Sequence, residues 1–298
     1  MKHIKLLYLF LLISWSSLPL QAADYLLQSP NGKLTVEIET KGQLSYTLKH
    51  NSQTLLDKSP IGLLLEDKIL GEDIKISRIK RNSSVKEHIV SPHYRLPSFE
   101  VTYNELNLKF KGNYGIIFRA YNEGIAYRFY TTMKGPLIIK DEMVQMNFPE
   151  DYPTFMSYST MPTGEDQYAM AFQNLYTKSS IKGVDTNNIA FLPITIDCGN
   201  ELKMTLLESD LEDYPGMFIK GDGKNTSLQG TFAHYPSEIK NFPPRAMKRI
   251  TKRTDYIART TGERNYPWRI WAITEKDTEM PVNNLVYALA SPNRIGDC

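Results

Sequence analysis

The densest chemistry in the chain lies in Leu206-Leu207-Glu208-Ser209-Asp210-Leu211-Glu212-Asp213-Tyr214-Pro215-Gly216-Met217. Four carboxylates, Glu208, Asp210, Glu212 and Asp213, fall within six positions at the end of an apolar strand, and a Pro-Gly turn closes the run. Carboxylates this close repel one another, and either a hard cation or a set of basic partners relieves the repulsion. The spacing is not that of an EF-hand loop, so a solvated acidic turn is the simpler reading of the spacing alone. Tyr266-Pro267-Trp268-Arg269 is the second candidate. An exposed indole can stack on a sugar face while a neighbouring Arg bonds hydroxyls, which makes Trp268 and Arg269 candidate sugar or domain-interface residues. The competing and preferred reading is structural: Trp268 alternates with Ile270 into the core, and Arg269 and Trp271 take the other face of the strand.

Other reaction classes find no anchor. The chain has no GxGxxG, no GxxxxGK[ST] and no GxSxG, which removes the phosphate cradles and the nucleophile elbow. His50, His88, His93 and His234 show no HxxxH spacing and read as surface residues. Cys198 and Cys298 are too few for a cysteine-built zinc site, and the terminal position of Cys298 makes it a poor half of a structural disulfide.

The elements that must position these residues are strands. Lys33–Thr40 alternates without a fault, placing Leu34, Val36 and Ile38 on one face, and Leu44–Leu48 repeats the pattern after a Lys41-Gly42 turn. Leu106–Phe110, Ile116–Tyr121 and Ile125–Tyr130 follow, the last two joined at Asn122-Glu123-Gly124. By alternation Phe110, Phe118, Tyr127 and Phe129 belong to the core. Further strands are expected at Ile189–Ile196, Leu202–Leu207, Ser227–Ala233, Ile257–Thr260 and Trp268–Ile273. Only Tyr168–Leu175 and Val282–Ala290 read as helical. Strands at short spacing with few short helices imply an all-β fold of two packed sheets and exclude βαβ units. The basic run Lys248–Arg253 reads as a solvated strand edge, where Lys and Arg discourage edge pairing, in preference to a polyanion patch.

Residues 1–22 have the layout of a secretory signal: Lys2 and Lys5, an apolar run broken by serines and Pro19, and small residues at Ala22-Ala23. That predicts export to the periplasm, with no membrane attachment after cleavage. The chain of 298 residues carries a net charge of +2. Loss of Lys2 and Lys5 leaves the mature chain neutral, so no nucleic-acid partner is implied.

The run Glu208–Met217 resembles a segment in the N-terminal domain of glycoside hydrolase family 97, which includes α-glucosidases and α-galactosidases. Tyr121-Asn122-Glu123-Gly124-Ile125-Ala126-Tyr127-Arg128-Phe129, Tyr266-Pro267-Trp268-Arg269 and Leu289–Asp297 are similar as well, in order along nearly the whole mature chain. The resemblance implies a galactose-mutarotase-like β-supersandwich over residues 23–290. Residues 291–298 would then begin a linker to a catalytic (β/α)8 barrel that this chain lacks, since such a barrel takes about 250 residues by itself. It further implies that Glu208 ligates a calcium ion shared with barrel carboxylates, that the substrate of the complete enzyme is an α-linked oligosaccharide, and that this chain is inactive alone. Calcium takes about 6–8 oxygens, so binding by this chain alone should be weak. A stand-alone carbohydrate-binding β-sandwich module is the alternative. An aldose epimerase ranks lower, because His88, His93 and His234 offer no acid–base partner in one cleft.

Overall fold

A computed structural model describes residues 24–91, 94–159, 166–169, 172–243 and 247–292. Residues 1–23, which include the expected signal segment, and His93, the last six residues and therefore most of the linker expected at 291–298 lie outside the described residues. Nineteen strands and one α-helix, Leu285–Leu289, make up the regular structure of the described residues, together with two short 3-10 turns. The all-β expectation is met. Among the described residues no helix is long and apolar enough to cross a membrane.

The alternation that suggested Leu34–Glu39 is realised directly: Leu34, Val36 and Ile38 are buried while the residues between them are half-exposed. This strand pairs with Ser45–His50 across the expected Lys41-Gly42 turn, where Gly42 has φ +70°. The turn at Asn122-Glu123-Gly124 also forms, and it requires glycine. A Cβ on Gly124 would stand 2.3 Å from the Trp271 carbonyl oxygen and 2.6 Å from Leu285 Cδ1, so the strand crosses its neighbour at backbone contact distance.

The sheet count differs from the two sheets expected. Hydrogen-bond ladders join 17 strands into one network, and a separate hairpin of Pro236–Phe242 and Met247–Arg253 stands apart. The joining element is Gly124–Asn147, a strand of 24 residues. Its first residues pair with Trp268–Thr274, and its last pair with Ser227–Phe232. From Trp268–Thr274 the ladder runs through Lys203–Ser209, Ile189–Asp197 and Met217–Gly221 to Ser227–Phe232. Six strands thereby close a ring. Alternation reports which face a residue takes but not that one strand changes partners along its length, which is why the pattern suggested separate sheets.

Strand Trp268–Thr274 divides the core by parity. Trp271 and Ile273 belong to the larger apolar cluster, whereas Trp268, Ile270 and Ala272 pack with Leu285, Ala288 and Leu289 of the helix in a smaller one. Of Val282–Ala290, expected as one helix, Val282 closes a 3-10 turn over Asp277–Val282 and the helix covers only Leu285–Leu289. The extended Asn283 ends the 3-10 turn before the helix begins. Tyr168–Leu175 yields only the 3-10 turn Gln167–Ala169, with 170–171 outside the described residues.

Candidate functional site: a buried carboxylate–arginine cluster beside an acidic turn

Glu208 and Arg269 are direct cross-strand partners. Arg269 Nη1 donates to Glu208 Oε2 at 2.6 Å. The same guanidinium forks onto Glu142 of the long strand, Nε to Oε1 at 2.9 Å and Nη2 to Oε2 at 2.7 Å. Side-chain exposure is 2% for Arg269, 4% for Glu142 and 13% for Glu208. The Pro215-Gly216 turn returns the chain so that the Met217 N–H donates to Glu208 Oε2 at 3.0 Å. Gly216 keeps this approach open, since a Cβ there would lie 3.1 Å from Oε1.

The cluster holds two carboxylates against one guanidinium. Burial raises the Glu208 carboxyl above its usual range, opposed by Arg269 and by the Met217 N–H. For Arg269 burial works against the charge, but Glu142 and then Glu208 overcome it and hold the guanidinium protonated. Burial and the Glu142 charge also keep the nearby Tyr214 phenol far above its usual value.

The remaining acids of the turn are gripped from elsewhere in the chain. Arg128 Nη2 donates to Asp210 at 3.0 Å, and its Nε donates to the Tyr266 carbonyl at 2.8 Å. Arg264 Nη1 donates to Asp213 at 2.9 Å while its guanidinium lies over the Tyr266 ring. Asp210 and Glu212 both adopt left-handed backbone, with φ +63° and +49°, a conformation uncommon outside glycine. Arg128, Asp210, Asp213, Arg264 and Asn265 line a polar cleft of about 640 Å³. Basic partners thus relieve the repulsion inferred from the sequence at Glu208, Asp210 and Asp213.

Trp268 is 3% exposed, and the Arg119 and Arg128 guanidiniums lie over its ring at 5.2 and 4.9 Å. It takes the structural role preferred from parity, with no ring face open to a sugar. Arg269 is likewise buried. The core assignments of Phe110, Phe118, Tyr127 and Phe129 hold. His50 bonds Glu275 at 2.8 Å, His88 bonds Glu100, and His234 Nδ1 lies 2.9 Å from the Thr254 carbonyl oxygen. Cys198 is a free buried thiol whose pKa burial pushes up to about 12.

Among the described residues no three His, Cys, Asp or Glu side chains gather as a metal site. A calcium ion could take one ligand here. Glu208 Oε2 is engaged by Arg269 and Met217, whereas Oε1 meets, among the described residues, the Met217 N–H at 3.3 Å. The donor set therefore fits one vertex of a shared site and no more.

Sequence reasoning missed Glu142, Arg128 and Arg264. Glu142 carried a usable signal: it has the parity of Val144 and Met146, both buried, which marks a carboxylate pointing inward. The arginines carried none, because their partners lie 82 and 51 residues away.

A glycosyl-hydrolase 97 N-terminal domain model matches residues 27–292. A retaining α-galactosidase of Bacteroides thetaiotaomicron is 35% identical, over 98% of this chain and 45% of that protein. The chain thus spans about half the length of the curated relative it matches. Among solved structures, a glycoside hydrolase family 97 enzyme from Pseudoalteromonas sp. strain K8 in complex with acarbose superposes with TM-score 0.73 and 18% identity, over 92% of this chain and 39% of that one. A β-arabinopyranosidase superposes with TM-score 0.71 and 17% identity, over 85% and 40%. At such identities these two structures speak to the fold alone.

Proposed function

The chain belongs to the glycosyl-hydrolase 97 N-terminal family, and from that premise we propose that it is the supporting half of an exported α-glycoside hydrolase. Its architecture is read as the family's supersandwich, with the two layers joined through Gly124–Asn147. A separate (β/α)8 barrel carries the reacting groups and acts on an α-linked oligosaccharide. This chain presents the acidic turn to that barrel and gives Glu208 to a shared calcium ion. Residues 1–22 direct the protein to the periplasm.

One observation supports this reading most: the Glu142–Arg269–Glu208 cluster holds one more negative charge than positive, and its excess sits on the member nearest solvent. A buried carboxylate in deficit of a counter-charge favours a cation at its free oxygen. When bound, calcium would supply a fixed positive charge between the domains. The chain's own residues hold the carboxylate in place: Arg269 fixes Oε2, and the Met217 N–H fixes the side-chain angle.

The test is made on the complete polypeptide, barrel included. Glu208→Ala should abolish the response of p-nitrophenyl α-galactoside and α-glucoside hydrolysis to added calcium. An unchanged calcium response would remove the assignment. The 298-residue chain alone should give no turnover above background with either compound.

A further inference from the structure

We propose that Glu142, acting through Arg269, sets the charge with which Glu208 meets a cation. The inference rests on the calcium reading of Glu208 given above and names the residue that tunes it. Glu142 lies on Gly124–Asn147 with the inward parity of Val144 and Met146. Arg269 lies on Trp268–Thr274 and Glu208 on Lys203–Ser209. Three strands of the closed ring thus each give one charge to a single line of contacts, carboxylate to guanidinium to carboxylate.

The two ends of that line are unequal. Glu142 takes two of the guanidinium's bonds, from Nε and Nη2, whereas Glu208 takes one, from Nη1. A two-point fork is stronger than a single bond and fixes the guanidinium plane. The Phe232 ring lies 5.2 Å from the same guanidinium and covers one face of it. With the plane held, Nη1 stays on Oε2 and Oε1 is left for another partner. Glu142 is buried with both oxygens on Arg269, so whatever it does for a ligand it does as a positioning residue.

Charge gives the fork its consequence. Glu142 and Arg269 together are neutral, so Glu208 keeps a full negative charge although it also accepts from the guanidinium. Without the Glu142 charge, Arg269 and Glu208 would form a balanced pair, and a divalent cation would approach a neutral unit with a guanidinium opposing it. Burial limits the screening of that repulsion. Stability does not explain the third charge. One carboxylate against one guanidinium leaves nothing uncompensated, and a further buried carboxylate adds desolvation cost. What the third charge does is restore the anionic character of Glu208.

The experiment is calorimetric titration of the complete polypeptide, barrel included, with calcium chloride. Glu142→Gln should weaken calcium binding about 5- to 30-fold, the effect of one nearby charge on a divalent ion under partial screening. Arg269 and Glu208 remain as a balanced pair, so thermal unfolding without calcium should show this variant folded. Adding Arg269→Gln returns the cluster to one net negative charge and should recover most of the lost affinity. A role in shape alone would make the double variant worse than Glu142→Gln, and a double variant that binds no better than Glu142→Gln overturns the inference. Affinity in Glu142→Gln within about 2-fold of wild type, with Glu208→Ala still abolishing binding, also overturns it and leaves the proposed function standing. Wild-type polypeptide that takes no calcium, or Glu208→Ala that binds like wild type, overturns both.

Discussion

Two charged stretches of this chain look alike on paper and behave oppositely. In the acidic run Glu208–Asp213, Glu208 and Asp210 are drawn into the structure while Glu212 and Asp213 stay exposed, and arginines from three distant positions close on Glu208, Asp210 and Asp213. The basic run Lys248–Arg253 forms half of a separate hairpin whose side chains are largely exposed. There Glu238 lies 3.3 Å from Lys240 and 3.7 Å from Lys252, and Arg253 reaches out to Asp166 at 2.7 Å. The basic run is solvated, as the strand-edge reading expects. Charge density in a sequence therefore says little about burial. What separates the two stretches is whether a strand with inward parity precedes the charges and carries them toward the core.

The comparison breaks first at Arg269. Arg269→Met leaves Glu142 and Glu208 buried without a counter-charge, and should cost about 3–5 kcal/mol in urea unfolding. A loss under about 1 kcal/mol would mean the cluster is solvated after all. Adding Glu142→Leu to Arg269→Met should recover much of the loss, because the uncompensated charge goes with it.

Next comes the pH dependence of Glu208. Its folded carboxyl titrates above the ordinary 4.5 because burial outweighs Arg269 and the Met217 N–H. The unfolded chain releases that proton at lower pH, so the contribution is fully present below about pH 4.5 and fades as pH rises through the folded value. The stability of the wild-type chain relative to Glu208→Gln should accordingly fall with rising pH in urea titrations from pH 4 upward. A difference that grows with pH would show that Arg269 outweighs burial.

The exposed counterparts sharpen the contrast. Asp222 accepts from Ser227 Oγ and from the Lys224 and Asn225 N–H groups, which with further bonds from Asn225 lower its pKa to about 2 against the opposing effect of burial. Its contribution is present above the ordinary value of 3.8 and disappears as pH falls through about 2. Asp222→Asn should lower the Tm slightly at neutral pH, with the gap closing in acid. In the hairpin, Ile239→Ser and Lys248→Gln should each stay within about 0.5 kcal/mol of the parent. A larger loss would place the hairpin inside the cooperative unit.

Much of the fold was legible. Leu34, Val36 and Ile38 announced their face, Gly42 and Gly124 their turns, and Trp268 and Trp271 their opposite sides of one strand. Less was legible where alternation is weak: Ile76–Val90 is mostly polar and exposed, so no apolar stripe marks it as a strand. Residues 131–147 carry on a strand that the alternation of 125–130 only begins. At the site, Glu208 stood out because it lies in a dense acidic run, while Glu142 did not because it is one inward carboxylate in a strand.

The sequence by itself settled the family, the all-β class and the parity of the core strands, since these follow from period-2 burial and from local runs of residue types. Only the tertiary structure decided which charges are buried, which arginine meets which carboxylate, and that the ladders close into a ring. Those depend on contacts between residues tens to more than a hundred positions apart, such as Arg269 with Glu142, 127 residues away. No local pattern encodes such a contact, because its energy exists only once the backbone has brought both partners out of water together.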